Sequence, residues 1–188
     1  MKKIDIRFSA SDMAEIKSII GKRMVKYKCD PFEFSTSVYG IVGVSLENAD
    51  YAFTNMVDVM DYYGELEEVA VFKVKRMPFP SIKSFIKDQT MIETPVEANV
   101  SEVLVVNERQ QLFEHEKQIY EVLLTRGIIF KFNDGHELSL EKNIWFSEDI
   151  SIEKGYDLLN RFTPETEFGE GWSGKYRGEC FREIISVK

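Results

Sequence analysis

The tripeptide Asn133-Asp134-Gly135 separates two apolar runs, GIIFKF and HELSLE, and restricts the fold more tightly than any other stretch. Loop length here decides which side chains share a face. A two-residue loop sets Phe132 opposite Glu137 and Phe130 opposite Ser139, mixing apolar and polar groups on both faces of the ribbon. A three-residue loop pairs Phe132 with His136, Phe130 with Leu138 and Ile128 with Leu140, and leaves Lys131 opposite Glu137. That register needs a type I turn followed by a left-handed residue, and Gly135 takes that place without a Cβ clash. Residues 119–152 are therefore read as the sheet around which the chain is organised.

The remaining segments fall into line with a sheet. Residues 3–8 alternate as a half-buried strand. A helix follows, capped by Ser9 or Ser11, with Asp12 and Glu15 in its first turn, Lys22 and Arg23 near its end, and an apolar stripe of Met13, Ile16, Ile19, Ile20 and Met24. Residues 32–46 read as a strand with Gly40 and Gly43 as bulge or close-approach positions. Residues 51–60 and 69–75 add two more, with a break at 62–64, giving a three-stranded antiparallel meander. Pro78 and Pro80 end it, Ser81 caps a short helix at 82–87, and 90–99 with Pro95 reads as a connector. Residues 107–124 have helix propensity. However, Tyr120, Val122, Leu124, Ile128, Phe130 and Phe132 share one parity, broken by Arg126, so the expectation is a strand pair turning near His115-Glu116. A short helix at 156–162, a glycine-rich loop at 165–178 and a strand at 179–187 close the chain.

These elements predict an α+β protein of predominantly antiparallel sheet, with an N-terminal helix and short connecting helices. One domain over residues 1–188 is expected; a split would give halves 1–77 and 96–188 joined by 78–95. A shift of 81 residues lays the first meander on residues 119–154 in hydrophobic phase, which suggests two similar three-stranded halves. Three positions are identical, about what chance gives.

Composition bounds the function classes. With 44% hydrophobic and 30% charged residues the chain is an ordinary globular one, long enough to bury a core without staples. No apolar run approaches the ~18 residues that span a bilayer, and Asp5 and Arg7 interrupt any signal-peptide core, so a cytoplasmic protein is expected. Cys29 and Cys180 are too few and too far apart in sequence to suggest a zinc site. Residues 1–28 hold eight lysines and arginines against three acids, a local +5, so with a net charge of −8 the other 160 residues carry −13. An acidic body repels phosphates, which makes direct nucleic-acid binding unexpected.

No catalytic set, metal-ligand spacing or cofactor motif stands out in the sequence. His136 falls at the rim of the apolar face as a packed or hydrogen-bonded residue, and Asp134 belongs to the turn, where its side chain can accept from backbone N–H groups. Glu137, Glu141, Glu148 and Asp149 read as solvated charge, and Trp145-Phe146 as a core plug. The stretch most suited to binding is FGEGWSGKYRG, where Phe168, Trp172, Tyr176 and Arg177 offer flat faces and donors for a sugar, a base or a peptide; alternatively Trp172 folds back as a lid on a sheet edge.

LTRGIIFKFNDGHELSLEKNIWFSEDISIEKGYDLL, residues 124–159, resembles a class of uncharacterised accessory proteins carried on mobile elements of Gram-positive gut bacteria, through the LSLEKNIWFSEDISI run. The resemblance implies an intracellular accessory protein and carries over no catalytic residues. The expected function is non-enzymatic binding or assembly, with a protein partner or self-association. The alternatives are an acidic DNA mimic that inhibits a nucleic-acid-binding protein, and a small-molecule or sugar site at the Trp172 loop.

Overall fold

The computed structural model describes residues 1–32, 35–62 and 65–188, with backbone alone for 59–62 and 65–67. Its strands are β1 (Lys2–Ile6), β2 (Arg23–Cys29), β3 (Ser37–Tyr39), β4 (Ile41–Leu46), β5 (Asp50–Tyr62), β6 (Glu65–Arg76), β7 (Ile92–Glu114), β8 (Lys117–Phe132), β9 (Glu137–Lys142), β10 (Asp149–Gly155) and β11 (Tyr176–Val187). The helices are α1 (Ala10–Ile19) and α2 (Glu165–Glu170). The protein is thus α+β and mostly antiparallel sheet, and no helix among the described residues is long and apolar enough to cross a membrane.

The β8–β9 hairpin has the three-residue register. Ile128 faces Leu140, Phe130 faces Leu138 and Lys131 faces Glu137. The Phe132 N–H donates to the His136 carbonyl at 2.9 Å, and Gly135 has φ +87°. The strand pair expected at 107–124 is also present, as the end of β7 and the start of β8, turning at His115-Glu116.

The sheet order β3-β10-β9-β8-β7-β2-β4-β5-β6 returns on itself, because β3 and β4 are one stretch of chain bent at Gly40. Strand pairings then run in a ring through β10, β9, β8, β7, β2 and the β3–β4 stretch, a barrel-like circuit of six strands. Gly40 is required at the bend. Its φ is +66°, and a Cβ there would lie 2.6 Å from the Met56 sulfur and 2.8 Å from Phe85. One face of each strand feeds a common core that includes Val44, Val105, Phe130, Leu140 and Ile152. Ile16 and Ile19 of α1 fill that core from one side, and Phe53 of β5 meets Phe130 edge-on at 5.7 Å. Burying such side chains is worth about 1.5–3 kcal/mol each, which explains why a helix of only ten residues holds its place. Ser9 caps it through a reciprocal box with Asp12.

Beyond the circuit, the β7–β8 ribbon continues as a four-stranded extension, flanked by parallel β1 on β8 and antiparallel β11 on β7. A bulge separates the two regions. Val106 faces Gly127 and Asn107 faces Thr125, so Arg126 is the extra residue. An extra residue reverses the faces. Val122 and Leu124 accordingly pack with Ile4, Ile6 and Val69, whereas Ile128 and Phe130 enter the main core, although all four share parity.

Four expectations need correction. Residues 23–29 are strand β2 rather than the end of the helix, since Gly21 (φ +76°) turns the chain and β2 is held between β4 and β7. Residues 82–87 form no helix; the 3-10 turn lies at Phe79–Ser81. The connector at 90–99 is the first part of β7, with Pro95 tolerated beside the bulge opposite β2. Helical structure at 156–162 is limited to a 3-10 turn at Leu158–Arg161, and α2 occupies part of the expected loop. Of the break expected at 62–64, Tyr62 still belongs to β5 and residues 63–64 lie outside the described residues, as do residues 33–34 of the strand expected at 32–46.

Candidate functional site at the barrel mouth

One end of the circuit is left open where β7 changes partners. Along β2, Met24 faces Ala98 but Lys26 faces Pro95, so two residues of β7, Val96 and Glu97, stand opposite one of β2. Bulges of this kind occur at barrel rims and re-aim side chains. Glu97 in this bulge is left-handed with φ +60°, and so is Asp157, two residues beyond the lining residue Gly155, with φ +53°. Non-glycine residues held there cost on the order of 1–3 kcal/mol each and cluster at ligand sites. From Val100, β7 pairs with Phe132 of β8, and the Asn133 N–H donates to the Asn99 carbonyl at 3.0 Å, which fixes the hairpin turn against the rim.

Between these edges lies a cavity of about 230 Å³, lined by Val96, Ala98, Phe132, Leu138, His136 and Lys154 among others. Phe132 and Leu138 are buried members of the main core, with Val96 and Ala98 packed against it, so the core reaches solvent here. The His136 ring lies 4.6 Å from the Tyr156 ring, with Nε2 2.8 Å from the Tyr156 hydroxyl and Nδ1 3.3 Å from the Asp134 carboxylate. The carboxylate favours the proton on Nδ1, which leaves Nε2 to accept from the tyrosine. Asp134 also accepts the His136 backbone N–H at 3.0 Å, as its turn position implied.

The charges of the site are unevenly spent. Glu137 accepts the Leu158 N–H at 2.7 Å and lies 3.5 Å from the Lys131 ammonium. Asp134 is held by His136. Lys154 sits 5.7 Å above the Tyr27 ring and has no carboxylate partner among the described residues. Burial pushes the Tyr27 phenol up, so it stays neutral beneath that cation. The cavity thus offers an apolar floor, an ordered His–Tyr pair and one uncompensated positive charge. At 230 Å³ it is below the usual 300–1,000 Å³ of drug-sized pockets and suits a ligand smaller than those such pockets hold.

The residues singled out near the C-terminus are arranged differently. Phe168, Trp172 and Tyr176 form a row, with ring centroids 6.0 and 6.3 Å apart. The half-buried indole of Trp172 lies on β11, where a Cβ on Gly178 would come within 2.5 Å of it. Arg177 does not join the row; its guanidinium stacks 4.3 Å from Phe113 and pairs with Glu179.

The acidic residues read as solvated are corrected for Glu137 and Glu141, both buried. Residues 156–170 fold back over them, which a strand pattern alone does not reveal. Glu141 accepts from Arg126 Nε at 2.9 Å and from the Thr163 N–H at 3.0 Å, and Glu108 accepts from Arg182 at 2.5 Å and Gln110 at 2.9 Å. Trp145 packs edge-on against Tyr120 at 5.0 Å, whereas Phe146 is exposed.

Lys154 and the Val96–Glu97 bulge have no motif. The alternation of Ile92, Thr94, Val96 and Ala98 is a signal for the start of β7, passed over in the connector reading of 90–99, and it carries nothing about Lys154. No family model, no curated protein and no solved structure matches the chain, so its functional reading rests on this geometry.

Proposed function

We propose that this chain is a non-enzymatic binding module whose ligand site is the barrel mouth. Its ligand is a small molecule with an apolar body and one anionic group. The observation that carries this reading is Lys154, a cation without a carboxylate partner among the described residues, at the rim of a cavity floored by Phe132 and Leu138. The apolar body contributes by area removed from water and the charge sets orientation. His136 and Tyr156 are engaged with each other, a pairing suited to shaping a rim.

A two-dimensional amide NMR titration with benzoate tests the reading. Shifts are expected at residues 96–98, 132–138 and 154, unchanged in Trp172→Ala. Shifts centred on 168–177, or mouth shifts that titrate in Lys154→Glu with the parent's affinity, would refute it.

A further inference from the structure

A second opening, of about 670 Å³, lies where the edge strand β6 passes the β1–α1 corner. Five consecutive residues of β6, Val71 to Lys75, line it, so it runs along a strand for roughly 13 Å. Its floor joins two satellite clusters of the core, Ile6 and Val71 from one and Ile41 and Ala52 from the other. One wall is the corner at Arg7 and Ser9, the other is the segment from Met77 to Phe85, and Phe85 is 47% exposed.

The charge around this trough is opposite in sign to that of the chain. Arg7, Lys73, Lys75 and Lys83 border it in a protein of net charge −8. The acids present are already engaged. Asp5 is held by Arg7 at 2.6 Å, a bond that keeps its carboxyl below the usual range. Asp12 accepts from the Val74 N–H at 3.0 Å and from Ser9. Lys73 has only a 3.6 Å contact to Asp58, and Lys75 and Lys83 have no carboxylate partner among the described residues.

From this we infer that the trough is a docking surface for an extended, acidic and apolar segment of a partner protein. Two features of the trough select that occupant. The trough follows a strand, the direction in which an extended chain lays alternate side chains into a groove. Its cations are separated and interleaved with engaged acids. That pattern fits carboxylates spaced along a peptide; a continuous run of phosphates would meet Asp5, Asp12 and the acidic body. This surface is separate from the barrel mouth and does not involve Lys154.

The test is fluorescence anisotropy on the full chain. The probes are short peptides of alternating Leu and Glu or alternating Leu and Lys, each with a neutral dye, and an oligothymidylate. The Leu/Glu peptide is expected to bind more tightly than the other two. The double variant Lys75→Glu/Lys83→Glu should melt as the parent does, lose roughly tenfold or more in affinity for it, and gain for Leu/Lys. Thr54→Trp, which fills the trough without changing charge, should weaken Leu/Glu binding as well. Equal affinity for both peptides, tighter binding of the oligothymidylate, or charge reversal without effect would overturn the inference.

Discussion

The Lys142 ammonium donates to the Ala70 carbonyl, while the Ala70 N–H donates to the Trp145 carbonyl at 2.7 Å, so both backbone groups of one residue of edge strand β6 are held, one by the last residue of β9 and the other by the β9–β10 connection. Lys142 is 1% exposed, and burial, with the nearby Arg126 charge, lowers its pKa from 10.5 to about 7. The unfolded chain therefore binds the extra proton between pH 7 and 10.5. Stability from this group is lowest below pH 7 and rises with pH across that window, by roughly 1.4 kcal/mol per unit. Lys142→Met should remove this slope. Chemical denaturation of both proteins at several pH values from 7 to 10 checks it; parallel curves would mean that the lysine is not charged at a cost in the fold.

Gly135 and Gly127 predict different costs for a side chain. At Gly135 a Cβ meets nothing within 4 Å, but φ is +87°, so Gly135→Val should cost about 1–2 kcal/mol from backbone alone, and Gly135→Asn less. At Gly127 the Cβ would lie 2.3 Å from the Leu140 carbonyl oxygen, so even Gly127→Ala should be more damaging than Gly135→Val. Urea midpoints of the three variants give the order.

Arg126 joins three parts of the molecule: its own bulge, Glu141 on β9 and the Asn143 carbonyl. Its removal leaves Glu141 buried with only the Thr163 N–H, and uncompensated buried charge costs about 3–5 kcal/mol. Arg126→Met should thus destabilise the whole fold and loosen residues 156–170 first. Limited proteolysis with mass spectrometry should find the earliest cleavage there; cleavage elsewhere would place the latch differently.

Both cysteines are free, Cys29 buried and Cys180 half-buried. Burial pushes the Cys29 thiol up to about 11 and, with the Glu108 carboxylate nearby, the Cys180 thiol up to about 12. Native protein at pH 8 should resist iodoacetamide while denatured protein is alkylated at both positions, as intact-mass measurement will show. Rapid native labelling of Cys180 would contradict this.

Much of the sheet was legible because its information is local. The turn at 133–135 carries its register in side-chain parity, and the 107–124 pair was settled by the same parity against helix propensity. β2 was not, since Met24 fits both the helical stripe of α1 and a strand, and its partners β4 and β7 are remote in sequence. The hydrophobic phase at 81 residues has a counterpart in space: β4-β5-β6 and β8-β9-β10 are both antiparallel meanders, and they meet through β2 and β7. Of the mouth, Phe132, Asp134, His136, Glu137 and Leu138 were legible as members of the hairpin, none of them as part of a binding site. Lys154 and the Val96–Glu97 bulge arrive there through the closure at Gly40 and the partner change of β7, which depend on pairings between distant segments.

The most direct measurement is the ratio of affinities for benzoate and its neutral analogue benzamide, by calorimetry on the parent and on Lys154→Met. The parent should prefer benzoate by a few-fold, on the order of 0.5–1 kcal/mol for a partly solvated ion pair, and the variant should show no preference while still binding both. A preference for benzamide in the parent, or a benzoate preference that survives in the variant, would contradict a site built around Lys154.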